Sequence, residues 1–435
     1  MNISRRSVLA VLCFCIAFTL ADRLPVHSAN AGGKSAAALK IAVMTDVHYL
    51  SPLLAGEGDA LAAFEKATGR KTTELHAVLN KVIDSLIEEA PDILLVTGDL
   101  TNHGERQSHL DFIALLRPLQ KAGTRIFVIP GNHDVHIPDA RMYKGSETTP
   151  VESVSAEEFA RLYGSFGYEK ALRRDETSLS YLAMIDERTW LLCIDSNRYN
   201  EQTTTSVTAG RIHPQTMEWA RNILHEAKEK GITVLGMMHH GLVEHLPYQD
   251  AFFPDYLVED WQQQADKLAD AGLNVIFTGH FHASDISLRT SPAGNRIYDV
   301  ETAALAQYPF SYRILQLQGN ELSISTRFVT SIPGNPDFEH ESRRRLEAVT
   351  RRVAQNRLNK TRMPMSEEVK TALTDLIVQL NLMHVRGDET ADPGMKSAVS
   401  MFASMMGTAA DMESFAFDFP PEDNEVVITL NVGEE

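Results

Sequence analysis

Five short groups of aspartate, asparagine and histidine residues constrain this sequence more than any other feature, because each directly follows an apolar run of strand length. In chain order they are Thr45-Asp46-Val47-His48, Thr97-Gly98-Asp99-Leu100, Gly131-Asn132-His133-Asp134, Met238-His239-His240 and Thr278-Gly279-His280-Phe281-His282. Polar residues at such positions mark the point where a strand leaves a sheet. Since ligand sites in open α/β sheets lie at the carboxyl ends of the strands, the pattern predicts that the five groups meet at one rim.

Between these groups, short β-branched runs alternate with helical segments, which is typical of an α/β domain. Buried strands are predicted at Ile41–Met44, Ile93–Val96, Ile126–Ile129, Val234–Met238 and Val275–Phe277. Helices are predicted at Thr73–Glu89, Glu105–Ala122, Pro214–Lys230 and Tyr256–Ala271. The antiparallel strands of a second sheet are predicted at Tyr181–Ile185, Thr189–Ile194, Arg296–Glu301, Tyr312–Leu317 and Leu322–Phe328.

The ordered motifs DxH, GD, GNHD, a later His and GHxH resemble the signature of the calcineurin-like metallophosphoesterases. One of these motifs alone is weak evidence, whereas five in order, all at strand ends, are specific. The resemblance implies an α/β fold of two packed mixed β-sheets flanked by helices, a four-layer αββα sandwich, over residues 39–330. Residues 337–435 are predicted to form a mainly helical C-terminal extension of unknown role.

In that family the motifs hold a binuclear metal centre. The resemblance implies that one metal is bound by Asp46, His48 and His282, the other by Asn132, His239 and His280, and that Asp99 bridges them. Asp46 and His48 are two residues apart, so an extended chain would place their side chains on one side, as it would for His280 and His282. His239 is preferred to the adjacent His240 because the first His of such pairs matches the family ligand.

The chemistry of phosphoester cleavage explains why these residue types are needed. A catalyst must supply hydroxide near neutral pH and neutralise the charge that develops on the phosphoryl oxygens, and two divalent cations do both. Imidazole, carboxylate and amide ligands suit Mn, Fe, Zn or Co better than Ca or Mg, which leaves the identity of the two ions open.

His133 is the remaining histidine of the set and is not a ligand in the resemblance. The resemblance implies that His133 is catalytic, protonating the leaving oxygen or stabilising phosphoryl charge, and that Asp134 orients it. A helix cap or loop contact is the alternative for Asp134.

Departures from well-known relatives narrow the expected substrate. Asn102-His103-Gly104 stands where protein Ser/Thr phosphatases carry Asp-Arg-Gly, so their phosphate-clamping arginine is missing. Asn102 also stands where purple acid phosphatases place a metal-binding Tyr. The remaining pattern resembles the bacterial phosphodiesterase branch, which acts on cyclic nucleotides and glycerophosphodiesters, although those enzymes usually have Pro where this chain has Gly241.

The resulting prediction is a phosphodiesterase that cleaves a small-molecule or nucleotide substrate through attack by hydroxide bridging the two metals. A phosphomonoesterase using the same site is one alternative. A non-catalytic metal-binding scaffold is another, although the retention of every expected ligand and of His133 favours the enzyme.

Residues 1–31 have the pattern of an export signal. Arginines at positions 5 and 6 precede an apolar stretch over 8–21, and Ala29-Asn30-Ala31 is a small-x-small cleavage site. A membrane anchor is the alternative, but the stretch is short for a span. The twin-arginine and general secretory routes both remain open, and either predicts a periplasmic or extracellular protein with no membrane span in its mature chain.

The formal charge of −17 argues against a non-specific nucleic-acid surface, so the expected partner is a small phosphoester substrate, and the oligomeric state stays open. Helices are predicted over 340–358, 366–382 and 395–406, followed by a closing strand over 425–432. The first of these helices is rich in arginine. It has either a solvated face or a docking surface for the acidic main domain or an anionic ligand.

Overall fold

The computed structural model describes residues 38–246, 249–360, 365–390, 393–398 and 418–430. The predicted export signal and most of the predicted helix over 395–406 lie outside these ranges. No helix within the described ranges has both the length and the apolar character needed to cross a membrane.

The strands are β1 (Leu39–Met44), β2 (Ile93–Val96), β3 (Arg125–Val128), β4 (Arg141–Lys144), β5 (Glu147–Pro150), β6 (Arg173–Arg174), β7 (Tyr181–Met184), β8 (Thr189–Ile194), β9 (Thr233–Met238), β10 (Val275–Thr278), β11 (Asp285–Thr290), β12 (Arg296–Glu301), β13 (Ser311–Gln318), β14 (Glu321–Phe328) and β15 (Glu425–Thr429). The longer helices are α1 (Asp59–Thr68), α2 (Thr72–Glu89), α3 (Arg106–Lys121), α4 (Ala156–Leu162), α5 (Pro214–Glu229), α6 (Trp261–Ala271), α7 (Phe338–Lys360) and α8 (Glu367–His384). The predicted buried strands therefore coincide with β1, β2, β3, β9 and β10, with ends that differ by at most two residues.

Two mixed sheets and the small hairpin β4–β5 carry these strands. The first sheet has the order β15-β14-β13-β1-β2-β3, and the second has the order β11-β12-β10-β9-β8-β7-β6. In the first sheet β1, β2 and β3 are parallel, as are β8, β9, β10 and β12 in the second. The carboxyl ends of both sets of parallel strands carry the five polar groups.

The predicted assignment of β13 and β14 to the second sheet is wrong. Both strands lie in the first sheet, where β13 pairs antiparallel with β1. After β12 the chain crosses to the first sheet beside the end of β1. There the amide of Leu305 donates to the carbonyl of Thr45 (3.1 Å), and the amide of Ala306 donates to the carbonyl of Asp46 (3.2 Å). The apolar pattern of a strand predicts its buried face but not its partner.

The predicted start of α6 at Tyr256 is also wrong. The Val258 amide donates to the carbonyl of Gly241 (3.0 Å), and the Gly241 amide donates to the carbonyl of Tyr256 (3.2 Å). These bonds hold the chain extended, so the helix begins only at Trp261.

The two sheets pack face to face with helices outside them. Along β8, Leu191 lies in a core that contains residues from both sheets, whereas its neighbours Trp190 and Leu192 lie in a second core with α5 and α6. Helices α2 and α3 bury their apolar residues in the first core. The arrangement confirms the predicted α/β fold with two mixed sheets between helices.

The C-terminal segment contributes to the first sheet as well as supplying helices. After α7 and α8, β15 pairs antiparallel with β14 at the edge of the first sheet. The guanidinium of Arg345 on α7 forms an ion pair with Glu74 on α2, and Arg352 donates to the carbonyl of Ala67 at the end of α1 (2.8 Å). Part of the arginine-rich face therefore docks on the main domain, while Arg343 and Arg344 are exposed.

Candidate metal centre

The loops that follow β1, β2, β3, β9 and β10 meet where the carboxyl ends of the two sheets face each other. Within the first sheet, the His48 amide donates to the carbonyl of Asp99 (2.9 Å). Across the sheets, His239 Nδ1 lies 2.9 Å from the carbonyl oxygen of Thr97, which fixes the imidazole by a backbone contact. The predicted rim is therefore formed by two sheets rather than one.

The backbone is left-handed at most of the predicted metal ligands. The φ angles are 48° at Asp46, 43° at His48, 48° at Asp99, 76° at His280 and 65° at His282. The expectation that the two DxH-like pairs converge because the chain is extended is wrong. The backbone at each of these four residues is instead left-handed, a strained conformation that is concentrated at functional sites.

Two glycines allow the loops to approach the carboxylates closely. A Cβ on Gly131 would lie 2.1 Å from Asp99 Oδ1, and a Cβ on Gly279 would lie 2.6 Å from Asp46 Oδ2. Any side chain at either position would displace the carboxylate. The glycines of the GNHD and GHxH motifs are thus explained by packing against the candidate ligands.

The first candidate group contains Asp46, His48 and His282, whose ligand atoms lie within 4.8 Å of one another. His282 Nε2 is 3.0 Å from Asp46 Oδ1, and His48 Nε2 is 3.7 Å from the same oxygen. The other oxygen of Asp46 accepts hydrogen bonds from Thr45 Oγ1 (2.8 Å) and from the amide of His280 (2.9 Å). Three donor atoms therefore point into one small space.

The second candidate group contains Asp99, His239 and His280, again with ligand atoms within 4.8 Å. The amide oxygen of Asn132 lies 3.2 Å from His239 Nε2, so this side chain belongs to the same group. Asp99 lies between the two groups, because its Oδ2 is 3.5 Å from His48 Nε2 and its Oδ1 is 3.5 Å from His239 Nε2. One carboxylate thus presents an oxygen to each group.

The protonation states suit binding of a cation. Burial lowers the pKa of His48, His239 and His280, so these imidazoles are neutral, the form that binds metal. Burial and the adjacent carboxylate of Asp46 raise the pKa of Asp99 more than the nearby Arg70 guanidinium lowers it, so a bound cation would favour the charged form of Asp99.

Buried ring nitrogens without hydrogen-bond partners are a second indication that the site binds metal ions. His48 is 2% exposed, yet neither of its ring nitrogens has a hydrogen-bond partner within the described ranges. A buried polar atom without a partner is costly and is usually satisfied by a ligand. The donor set of imidazole, carboxylate and amide therefore fits two divalent metal ions.

The two adjacent histidines His239 and His240 have different partners in the structure. Both side chains are buried, but His240 Nδ1 lies 2.7 Å from Ser196 Oγ and its Nε2 lies 2.9 Å from the carbonyl oxygen of Thr208. Both nitrogens of His240 are therefore used, whereas Nε2 of His239 faces Asp99. This geometry supports the choice of His239 as the ligand.

Asp134 does not occupy the position predicted for it. Its oxygens accept hydrogen bonds from the amides of Leu100 (3.0 Å), Thr101 (2.9 Å) and Gly131 (2.8 Å). No bond joins its carboxylate to the His133 ring in the part of the chain that the structure describes. Asp134 is instead a positioning residue that ties the GNHD loop to the GD loop.

His133 lies beside the candidate metal ligands in a cluster of imidazoles. Its ring centroid is 5.2 Å from that of His48 and 5.1 Å from that of His103. Burial, His103 and the Arg70 guanidinium lower the pKa of His133 well below its ordinary value. His133 Nδ1 is buried and has no hydrogen-bond partner among the described residues.

Sequence reasoning missed Arg70, a cation of this site. Arg70 lies in the corner between α1 and α2, and its guanidinium interacts electrostatically with both Asp99 and Asp46. Its Nε is buried and lacks a hydrogen-bond partner in the described part of the chain. Gly69 and Arg70 form no recognisable motif, so no signal in the sequence pointed to this residue.

The C-terminal helix α7 holds the corner that carries Arg70. Val349 on α7 packs so close to Gly69 that a Cβ on the glycine would lie 3.0 Å from Val349 Cγ2. The guanidinium of Arg357 lies 5.0 Å from the ring centroid of Phe253, in the loop before α6. In that loop the carbonyl oxygen of Asp255 lies 3.2 Å from His280 Nε2. Helix α7 therefore contacts two loops beside the site.

A family model for calcineurin-like phosphoesterases matches residues 39–284, which include all five polar groups. The chain belongs to the calcineurin-like phosphoesterase family. As a member of this family it shares the two-sheet α/β fold, and its His and Asp clusters are groups that could hold metal ions.

Similarity of the chain to individual proteins is local. It is 36% identical over 99 residues to a 3',5'-cyclic-nucleotide phosphodiesterase of Nostoc sp., which covers 23% of this chain and 32% of the relative. It is 39% identical over 59 residues to a protein named as a probable cyclic nucleotide phosphodiesterase of Vesicomyosocius okutanii, covering 14% of this chain and 24% of the relative. The chain thus spans a quarter to a third of the length of these relatives.

Among solved structures, a dimetal phosphatase from Danio rerio is similar at 13% identity and a TM-score of 0.46. The match covers 67% of this chain and 96% of the zebrafish protein.

Proposed function

We propose that this protein is a binuclear metal-dependent hydrolase that cleaves phosphodiesters of small molecules or nucleotides. The observation that carries the proposal is the position of Asp99, which presents one carboxylate oxygen to each of two His/Asp groups. One metal would be held by Asp46, His48 and His282, and the other by Asn132, His239 and His280. The mixed ligand set favours Mn, Fe, Zn or Co.

Bound divalent cations lower the pKa of water and neutralise phosphoryl oxygens, which supplies the chemistry that the side chains lack. The residues of the chain supply position and charge. Arg70 would donate hydrogen bonds to a phosphoryl oxygen, because its guanidinium lies near both site carboxylates and its Nε has no partner within the described ranges. A guanidinium matches the geometry of two phosphoryl oxygens.

His133 would protonate the leaving oxygen. Since its Nδ1 is buried, we assign this proton to Nε2. Burial lowers the pKa of His133, so its ring is neutral before the reaction, and its Nε2–H would donate to the leaving oxygen and transfer the proton as negative charge develops there. Asp134 would hold the loop that carries His133 rather than the ring itself.

The preference for a diester over a monoester is supported by the names of the matched Nostoc and Vesicomyosocius proteins, both cyclic nucleotide phosphodiesterases, over the matched segments.

We also propose that the protein acts outside the cytoplasm, on the basis of the arginine pair, apolar stretch and small-x-small site within residues 1–31. Fractionation of cells that express the full chain tests this location. Recovery of a shortened protein outside the cytoplasm supports it, and a full-length protein in the cytoplasm contradicts it.

Hydrolysis of bis-p-nitrophenyl phosphate and p-nitrophenyl phosphate by protein reconstituted with Mn²⁺ tests the activity. We expect faster cleavage of the diester, with loss of activity in Asp99→Ala. The control is Asp84→Asn, which alters an exposed carboxylate on α2. Preferential monoester cleavage would identify a phosphomonoesterase, and two bound metals without turnover of either substrate would favour the non-catalytic scaffold.

A further inference from the structure

A second cluster of carboxylates lies where the C-terminal segment meets β11. It contains Asp285 at the start of β11, Glu389 after α8, and Asp418 and Asp423 before β15, each with one carboxylate oxygen within 4.8 Å of the others. None of these residues belongs to the two groups around Asp99. The cluster joins three separate parts of the chain.

Carboxylate oxygens in this cluster lack partners. Asp285 is 1% exposed, and its Oδ1 is used by His245 Nδ1 (2.6 Å) and by Ser287 Oγ (3.1 Å). Its Oδ2 has no hydrogen-bond partner among the residues that the structure describes, and the same holds for Oε2 of Glu389 and Oδ1 of Asp418. Three buried oxygens of adjacent carboxylates are thus left for a cation.

The neighbouring charges do not neutralise the cluster. Burial and the nearby carboxylates raise the pKa of Asp418 to about 8 and that of Asp423 to about 9. The cations close by are His245 and Arg313. His245 also faces Asp299 and Glu301 (3.3 and 3.4 Å), while Arg313 donates to the carbonyl oxygens of Glu301 and Asp423. Each cation is thus shared with groups outside the four carboxylates.

We propose that Asp285, Glu389, Asp418 and Asp423 form a binding site for Ca²⁺, separate from the candidate catalytic metal centre. Ca²⁺ takes six to eight oxygen ligands in flexible geometry, and carboxylates bind it with one or both oxygens. A single Ca²⁺ would satisfy the unpartnered oxygens and remove the mutual repulsion. His384, whose Nδ1 lies 2.6 Å from Glu389 Oε1, orients that carboxylate.

The position of the site gives it a structural role. The Asp423 carboxylate accepts hydrogen bonds from the amide of Ile286 on β11 (2.8 Å) and from the amide of Asp388 (2.7 Å). The ring of His384 packs on Phe281, with centroids 5.4 Å apart, between the candidate ligands His280 and His282. Ca²⁺ binding would therefore fasten the C-terminal segment to the loop that carries two catalytic metal ligands.

Thermal unfolding of the full chain, stripped with EDTA and then measured with and without Ca²⁺, tests the proposal. About 5 mM Ca²⁺ exceeds the Kd of roughly 10⁻⁴–10⁻³ M that extracellular calcium modules show. We expect Ca²⁺ to raise Tm by about 3 °C or more. In EDTA, Asp418→Asn should have an unchanged or higher Tm than wild type, because repulsion between the carboxylates is reduced. Added Ca²⁺ should raise the Tm of this variant by less than about 1 °C.

Two further variants locate the effect. Glu422→Gln changes a carboxylate beside Asp423 that is not among the four cluster residues, and should keep the full Ca²⁺ shift. Asp99→Asn alters the candidate catalytic centre and should also keep it, so this test does not depend on the proposed hydrolase activity.

The proposal is overturned if wild-type Tm does not respond to Ca²⁺, if Asp418→Asn keeps the wild-type shift, or if Asp99→Asn abolishes it. It is also overturned if Zn²⁺ or Mn²⁺ produces the Asp418-dependent shift and Ca²⁺ does not. In that case the cluster would be a transition-metal site that uses His384.

Discussion

Gly98 lies directly against the imidazole of His239, so that a Cβ on this glycine would stand 2.4 Å from His239 Nδ1. The same nitrogen contacts the Thr97 carbonyl oxygen, which orients Nε2 toward Asp99. The backbone of Gly98 is left-handed, with φ 104°. The GD motif therefore needs glycine to place the ring of a candidate metal ligand from the other sheet.

Gly98→Ala tests this packing. We expect metal affinity at the His239 group to fall by about 10- to 100-fold, because the methyl group displaces an oriented ligand. Elemental analysis after dialysis measures the loss. The matched control is Gly123→Ala, which has a similar φ of 112° but no heavy atom within 4 Å of the new Cβ. Equal metal loss in the two variants would show that backbone strain alone is responsible.

Arg70→Gln is expected to lower kcat/KM for a phosphodiester by about 100-fold, because one preorganised donor to the phosphoryl group is lost. Metal content should stay at the wild-type level, since Arg70 is not a ligand. Arg70→Lys should recover part of the activity by restoring the charge. The control is Lys66→Gln on the exposed side of α1. Unchanged activity in Arg70→Gln would show that Arg70 does not bind the phosphoryl group.

His133→Asn separates proton donation from charge stabilisation. If His133 protonates the leaving oxygen, kcat for a cyclic nucleotide should fall by about 10²–10⁴-fold, because its alkoxide leaves poorly. The loss for bis-p-nitrophenyl phosphate should be far smaller, because p-nitrophenolate leaves without protonation. His136→Asn, on the exposed side of the same loop, is the control. Equal losses for both substrates would contradict a general-acid role.

Glu105, which is not a candidate metal ligand, is expected to make the stability of the protein depend on pH. Glu105 is fully buried, and burial raises its pKa from 4.5 to about 7. Because the folded-state pKa is the higher one, the stabilisation from the retained proton is complete below the unfolded pKa and is lost as pH rises through about 7. The free energy of unfolding should therefore fall by on the order of 3 kcal/mol across this window from this group.

Urea unfolding of wild type and Glu105→Gln at several pH values measures this effect. The variant should lose most of this pH dependence, since glutamine stays neutral, whereas Glu57→Gln, which alters an exposed carboxylate, should follow wild type. A Glu105→Gln profile that matches wild type would assign the dependence to other groups.

Much of the site could be predicted because its signals are local in sequence. Each of the five polar groups ends a buried strand, so the sequence pattern alone predicts that Asp46, Asp99 and His280 lie at one rim. The spacing does not predict how the side chains converge. The backbone at these three residues is left-handed, with φ between 48° and 76°, and no spacing in the sequence indicates it.

The parts that could not be predicted depend on contacts between distant segments. Arg70 reaches the site because α7 packs on the corner between α1 and α2, and neither segment carries a motif that links it to the strand ends. The partner of β13 was missed for the same reason. Asp134 follows a histidine in the motif, but its carboxylate binds the amides of Leu100 and Thr101 rather than the His133 ring.

Catalysis is expected to need both metal groups joined by Asp99. The most direct measurement is the rate of bis-p-nitrophenyl phosphate hydrolysis as Mn²⁺ is added to metal-free protein, with bound metal per chain determined in the same samples. We predict that activity rises only as the second equivalent binds, and that His239→Ala and His282→Ala stop at one equivalent and stay inactive. Full activity at one equivalent, or no activity at two, would contradict the account.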